Sequence, residues 1–183
     1  MTDTSESVYR SILVVRCQAG DAAAFEELVA LHQTRLRFFL ANMTGNSNSA
    51  DDLAQEVWFD VYRAVGKLAD PGAFRAWLYR IARHRVLREL RKRRQPMLPL
   101  EGIDIAEGDC DDEFSPEDAA RIHAAMADLS QEHREVLLLR FFEDMSYEDI
   151  ARIAGCQLGT IRSRMHYAKR ALRLVMEGVP QNG

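Results

Sequence analysis

Apolar residues recur at helical spacing through most of this chain, and no stretch alternates strictly between apolar and polar positions as a half-buried strand would. After Gly20, Asp21 is placed to cap a helix starting at Ala22, with Phe25, Leu28, Val29, His32, Leu36 and Leu40 on one stripe. A break is expected at Gly45 to Ser49. The next helix runs from about Ser49 to Val65 and turns Leu53, Val57, Val61 and Ala64 to a core. Asp70, Pro71 and Gly72 then form a turn, and a long helix follows from Phe74 to about Arg94, its Phe74, Trp77, Leu78 and Ile81 directed inward.

The C-terminal third has the same helical character with sharper punctuation. Ser115 and Pro116 start one helix, and Ser130 caps another that reaches Arg140. Ser146, with Asp149 three residues on, opens a short helix carrying Ile150, Ile153 and Ala154. Gly155 suits the left-handed backbone that ends a helix, and Gly155, Cys156 and Gln157 make the turn. In the helix after it, about 100° per residue places Ile161, Met165, Ala168 and Leu172 on the core side. The outer side then holds Gly159, Arg162, Ser163, His166, Tyr167 and Arg170, with Thr160 beside them and Arg164 and Lys169 flanking. Two short helices joined by a tight turn, the second rich in donors on its outer face, form the pattern of a DNA-reading helix-turn-helix. Such a helix fits a major groove about 12 Å wide and reaches base edges and phosphates.

Charge divides the chain. The formal net charge of −4 hides two opposed segments. From Arg75 to Arg94 there are nine basic residues and one acidic, whereas Glu101 to Asp118 holds nine acidic residues and no Lys or Arg. The acidic segment also contains Gly102, Gly108 and Pro116, follows Pro96 and Pro99, and lacks helical periodicity, as an extended linker does. The expected fold class is all-α: two small helical domains joined by an acidic linker, the C-terminal one containing the helix-turn-helix. The expected divisions are a flexible tail over 1–10, a helical domain over 11–95, the linker over 96–115, the helix-turn-helix domain over 116–178 and a tail over 179–183.

Composition removes several classes. The 47% hydrophobic and 28% charged residues are ordinary for a globular protein, and no run approaches the roughly 18 apolar residues of a membrane span. The N-terminus lacks the form of a signal peptide, so no membrane insertion and a cytoplasmic location are expected. Cys17, Cys110 and Cys156 are far apart and without a C-x-x-C pair, so neither a disulfide framework nor a usual zinc site is expected. No phosphate-binding glycine loop, G-x-S-x-G or H-E-x-x-H motif occurs, and the five histidines are scattered. The expectation is a non-enzymatic protein with no cofactor and no metal.

Two further faces carry candidate chemistry. The helix over 49–65 presents Asp52, Gln55, Glu56, Phe59, Tyr62 and Arg63 opposite its core stripe. Aromatics among charges either anchor a protein partner or lie beneath a neighbouring helix. The long basic helix interleaves Trp77, Tyr79 and His84 with Arg75, Arg80, Arg83, Arg88 and Arg91. Rings that stack unpaired bases beside cations that hold phosphates suit an opened strand as well as a duplex.

The ordered blocks DDLAQEV, FRAWLYRIAR and GTIRSR, with RCQAGDAAAFEELV before them and SYEDIARIAG between, resemble the extracytoplasmic-function sigma factors of the bacterial sigma-70 family over roughly Ser11 to Arg173. The resemblance implies a promoter-specificity subunit that binds core RNA polymerase, recognises two promoter elements and helps melt DNA. It assigns Asp52, Gln55, Glu56, Phe59 and Tyr62 to the polymerase β′ clamp helices, and residues around Glu132 to Phe142 to the β flap. It assigns the turn Leu68 to Ala73 and the helix from Arg75 to Arg94, with Arg75, Trp77, Tyr79, Arg80, Arg83, His84, Arg88 and Arg91, to base capture, melting and −10 reading. It assigns Gly159, Thr160, Arg162, Ser163, Arg164, His166, Tyr167, Lys169 and Arg170 to −35 reading. It also implies an anti-sigma factor as a restraining partner, and a linker that mimics RNA in the positively charged transcript-exit path.

This chain departs from the family pattern at His84, where Asn is usual, at Arg88, where Asp is usual, and at Tyr167, often Arg. A stand-alone helix-turn-helix regulator, or a sigma-like decoy for an anti-sigma factor, would share part of these features. The aromatic face at Phe59 and Tyr62, the basic helix and the acidic linker favour the sigma factor.

Overall fold

A computed structural model describes residues 2–93, 126 and 129–176, which fall into two compact units, Met1–Gln95 and Pro96–Gly183. The linker over 96–115, the helix start at Ser115 and Pro116, Cys110 and the tail over 179–183 lie outside the described residues. Every regular element among the described residues is helical.

In the first unit, α1 spans Thr2–Gln18, α2 Ala22–Thr44, α3 Ser47–Ala64 and α4 Phe74–Arg93, with single 3-10 turns at Val65–Lys67 and Pro71–Ala73 between the last two. The expected tail over 1–10 is therefore corrected: α1 begins at Thr2. Its Leu13 and Val14 are fully buried, and the Tyr9 phenol donates to Glu27 on α2. A helix that buries part of its own surface against a domain is held by that packing.

Local chemistry sets the helix ends. Asp21 Oδ1 accepts from the Ala24 amide at 3.1 Å, and Arg16 Nη2 lies 2.7 Å from Asp21 Oδ2. The Ala24 amide first, and then Arg16, hold the Asp21 carboxyl below its ordinary pKa. Gly45 closes α2 at φ 65°, and the expected five-residue break shrinks to Gly45 and Asn46 because α3 starts at Ser47. The core gathers Leu28, Leu36, Phe39 and Leu40 of α2, Val57 and Val61 of α3, and Phe74, Leu78, Tyr79, Ala82 and Val86 of α4. Each large side chain among them contributes roughly 1.5–3 kcal/mol through burial.

In the second unit, α5 spans Gln131–Leu137, α6 Tyr147–Ala154 and α7 Leu158–Met176. Ser130 Oγ accepts from the His133 amide at 3.3 Å, capping α5 as expected. The helix does not remain α-helical to Arg140: Leu138–Phe142 form a π turn, with the Glu143 amide reaching the Leu138 carbonyl at 3.2 Å. Residues Glu135 to Leu139 are all buried, and Asp144 takes a positive φ of 47° where the chain reverses. Widening the last turn lets the apolar run Val136 to Leu139 stay covered while Phe141 and Phe142 emerge. Ser146 Oγ accepts from the Asp149 amide at 3.1 Å, a cap worth about 1 kcal/mol, and Gly155 ends α6 at φ 68°. No helix among the described residues is long and apolar enough to cross a membrane.

Candidate nucleic-acid and partner-docking interfaces

The helix-turn-helix is α6, the turn Gly155 to Gln157, and α7. Ile150 and Ile153 from α6 and Ile161, Met165, Ala168 and Leu172 from α7 are buried together in this unit. That packing fixes the rotation of α7 and leaves Gly159, Thr160, Arg162 and Arg170 exposed, with Ser163, His166 and Tyr167 half-exposed. The rings of His166 and Tyr167 stand edge to face at 5.4 Å. The two flanking cations reach back toward their own unit. Lys169 Nζ sits 5.8 Å above the Phe141 ring, and Arg164 is close enough to His133 to oppose its protonation, second to burial in holding that imidazole below its ordinary pKa. Of the candidate cations on α7, Arg162 and Arg170 are the exposed ones, 100° and 180° around the helix from Ile161 at about 100° per residue.

On α4 the exposed residues Arg80, His84, Arg88 and Arg91 form a continuous stripe, spaced four, four and three residues apart. Arg75, Trp77 and Arg83 are half-buried, and the Trp77 ring leans on Phe74 at 6.0 Å. Tyr79 is a correction: it is fully buried, packed edge-on against Phe39, and offers no ring face to a base. Its apolar surface packs better between α2 and α4 than in water, and a sequence in which aromatics and arginines circle the helix does not reveal that choice.

The turn before α4 is held from both sides. Asp70 Oδ1 accepts from the Gly72 amide at 2.9 Å, and a Cβ at Gly72 would come within 3.1 Å of that oxygen. Gln18, the last residue of α1, donates its side-chain amide to the Val65 carbonyl at 3.0 Å and to the Leu68 carbonyl at 2.8 Å. Between α1 and the turn lies a groove of about 540 Å³ walled by Val8, Ile12, Val15 and Pro71. Sequence reading missed this wall by taking the first ten residues as a tail; the apolar Ile12 to Val15 was its only signal.

On α3 the outer face remains open. Phe59 is 59% and Tyr62 63% exposed, so no neighbouring helix in this unit covers them. They are nevertheless braced: Phe25 meets Tyr62 edge to face at 5.1 Å, and the Arg63 guanidinium lies 5.4 Å from the Phe59 ring centroid. Asp52, Gln55 and Glu56 share the face, all exposed. Cys17 and Cys156 are free, half-buried thiols, and burial pushes the Cys17 thiol up. Among the described residues, no group of three His, Cys, Asp or Glu side chains converges as metal ligands.

Residues 28–95 match the Sigma-70 region 2 family and residues 125–174 the Sigma-70, region 4 family. The chain is 38% identical over 173 residues to the RNA polymerase sigma-H factor of Pseudomonas aeruginosa, covering 87% of this chain and 90% of that one. It is 30% identical over 181 residues to the extracytoplasmic-function RNA polymerase sigma-E factor of Escherichia coli, covering 92% and 94%. Among solved structures, CnrH in complex with the cytosolic domain of CnrY has the same fold at a TM-score of 0.70 and 24% identity, over 94% of this chain and 99% of that one. The sigma factor RpoE in complex with the anti-sigma factor NepR from Bartonella quintana matches at 0.65 and 25% identity, over 84% and 96%. With both conserved regions present in order and relatives matched along nearly their whole length, this chain belongs to the extracytoplasmic-function sigma factors of the sigma-70 family.

Proposed function

We propose that this sigma factor docks on core RNA polymerase through the outer face of α3 and directs it to promoters through two separate DNA-reading surfaces. Asp52, Gln55, Glu56, Phe59 and Tyr62 meet the β′ clamp helices, and the π turn with its exposed Phe141 and Phe142 meets the β flap. The α7 residues Arg162, Ser163, His166, Tyr167 and Arg170, with Gly159 and Thr160 allowing close approach, read the −35 element in the major groove. Lys169 and Arg164 stand at its margins. The stripe Arg80, His84, Arg88 and Arg91, flanked by Arg75, Trp77 and Arg83, follows the −10 strand after the turn Leu68 to Ala73 takes a base out of the stack.

The observation that carries this reading is the exposure of Phe59 and Tyr62 among acids, on a helix that contributes nothing to the helix-turn-helix. Aromatics exposed among charges anchor a protein partner, and docking on polymerase supplies that partner. The domain divisions 11–95, 96–115 and 116–178 correspond to docking with −10 recognition, a tether in the transcript-exit path, and −35 recognition. An anti-sigma factor restrains the free protein, which acts in the cytoplasm. RpoE of Bartonella quintana, solved with its anti-sigma factor, supports that expectation.

Run-off transcription with bacterial core polymerase on a genomic promoter library tests the reading. New start sites requiring both components are expected, and their upstream sequences give both promoter elements. Core binding without new transcripts would instead identify a decoy, and DNA binding without core association a stand-alone regulator.

A further inference from the structure

Arg85 belongs to the nine-residue basic run, yet it is turned away from the exposed stripe of α4 and its side chain is only 19% exposed. Its guanidinium crosses to α3. Nε donates to Asp60 Oδ2 at 2.6 Å, Nη2 lies 2.5 Å from the same oxygen, and Nη1 donates to Glu56 Oε2 at 2.5 Å. Glu56 and Asp60 are four residues apart and therefore stacked on one side of α3, so a single planar fork spans both. Nε and Nη2 converge on the one Asp60 oxygen, and Nη1, at the other end of the same planar group, reaches Glu56.

Glu56 is not hidden by this bond. Its side chain remains 52% exposed, and Oε1 takes no part in the contact with Arg85. A free surface glutamate samples several rotamers and loses that freedom when it is ordered on binding. A glutamate already held by a fork loses less. We propose that Arg85 is a positioning residue for polymerase docking, holding the Glu56 carboxylate in one orientation on the outer face of α3. This inference rests on the reading of that face as the docking surface.

The test is equilibrium binding of the full-length protein to purified core polymerase, with wild type, Arg85→Met, Glu56→Ala and the double variant. Arg85→Met should weaken binding by about threefold to tenfold, the range expected for ordering one long side chain. In the Glu56→Ala background the same change should cost nothing further. Equal losses in both backgrounds would overturn the proposal, because Arg85 would then act through the general fold of the unit. Asp60→Asn, which loosens the anchor of the fork and leaves the docking face untouched, should reproduce part of the loss with helicity unchanged. It serves as the same test if Arg85→Met does not fold, and unaltered binding in it would likewise overturn the proposal. If Glu56→Ala and Phe59→Ala with Tyr62→Ala all leave core binding intact, the docking-face reading itself fails; if these weaken binding while Arg85→Met does not, only the role of Arg85 fails.

Discussion

Tyr79 on α4 meets Phe39 on α2 edge to face, ring centroids 5.1 Å apart and planes at 88°. One residue further on, Arg80 is exposed. A single step along the helix thus separates a core residue from a candidate promoter contact. Tyr79→Ala should remove a large buried ring at a cost of about 3–5 kcal/mol and lower the melting temperature of the free protein. Arg80→Ala should leave melting unchanged and reduce promoter opening, read by permanganate reactivity of the −10 strand. Reduced opening by Tyr79→Ala without loss of stability would return Tyr79 to the DNA surface.

Separate docking and reading surfaces predict separable defects. Arg162→Ala or Arg170→Ala should weaken −35 recognition, by roughly 1–3 kcal/mol if the side chain contacts a base edge, with core affinity unchanged. Phe59→Ala with Tyr62→Ala should weaken core binding and leave the isolated duplex interaction intact. Band-shift assays with and without core polymerase distinguish the two, and parallel loss of both activities in either variant would argue against separate surfaces.

Gln18 bridges the end of α1 to the Val65 and Leu68 carbonyls at 3.0 and 2.8 Å. Gln18→Ala leaves those two acceptors to water and frees the approach to the Leu68 to Ala73 turn. The expected result is slower open-complex formation with closed-complex affinity retained, measured by stopped-flow fluorescence on a promoter labelled in the −10 element. Unchanged opening kinetics would mean that the turn is held adequately by Asp70 alone.

His32 gives the first unit a defined pH dependence. An ordinary histidine titrates near 6.5, whereas His32 is held down to about 3, chiefly by burial and then by Arg10, Arg75 and Arg35. Between these values the folded chain keeps the imidazole neutral and the unfolded chain takes up a proton. The stability contributed by neutral His32 is complete above about 6.5 and is lost as pH falls toward 3, with a slope no steeper than about 1.4 kcal/mol per pH unit. Trp58 and Trp77 are the chain's two tryptophans and both lie in this unit, so urea unfolding followed by their fluorescence reports on it. His32→Leu should flatten the acid limb of stability against pH; an unaltered slope would assign the loss to other groups.

The helices from α2 onward, their caps and the helix-turn-helix were legible in the sequence because each is a local arrangement, whereas the start of α1 was read as a tail. Asp21, Gly45, Ser130, Ser146 and Gly155 act on backbone groups within a few residues, and the Ile161 to Leu172 stripe follows from the helical period alone. The segregation of basic and acidic charge is likewise a property of the chain as written. The separation of Tyr79 from Arg80 and of Arg85 from Arg88, and the bracing of the 65–73 segment by α1, were decided only by tertiary structure. On α4, aromatic, aliphatic and cationic residues occur all around the helix, so its period defines no single buried face. The rotation of α4 is set instead by Phe39, Asp60 and Glu56, which lie 40, 25 and 29 residues from Tyr79 and Arg85, respectively. Contacts between residues so far apart depend on how whole helices pack, and local periodicity holds no record of that packing.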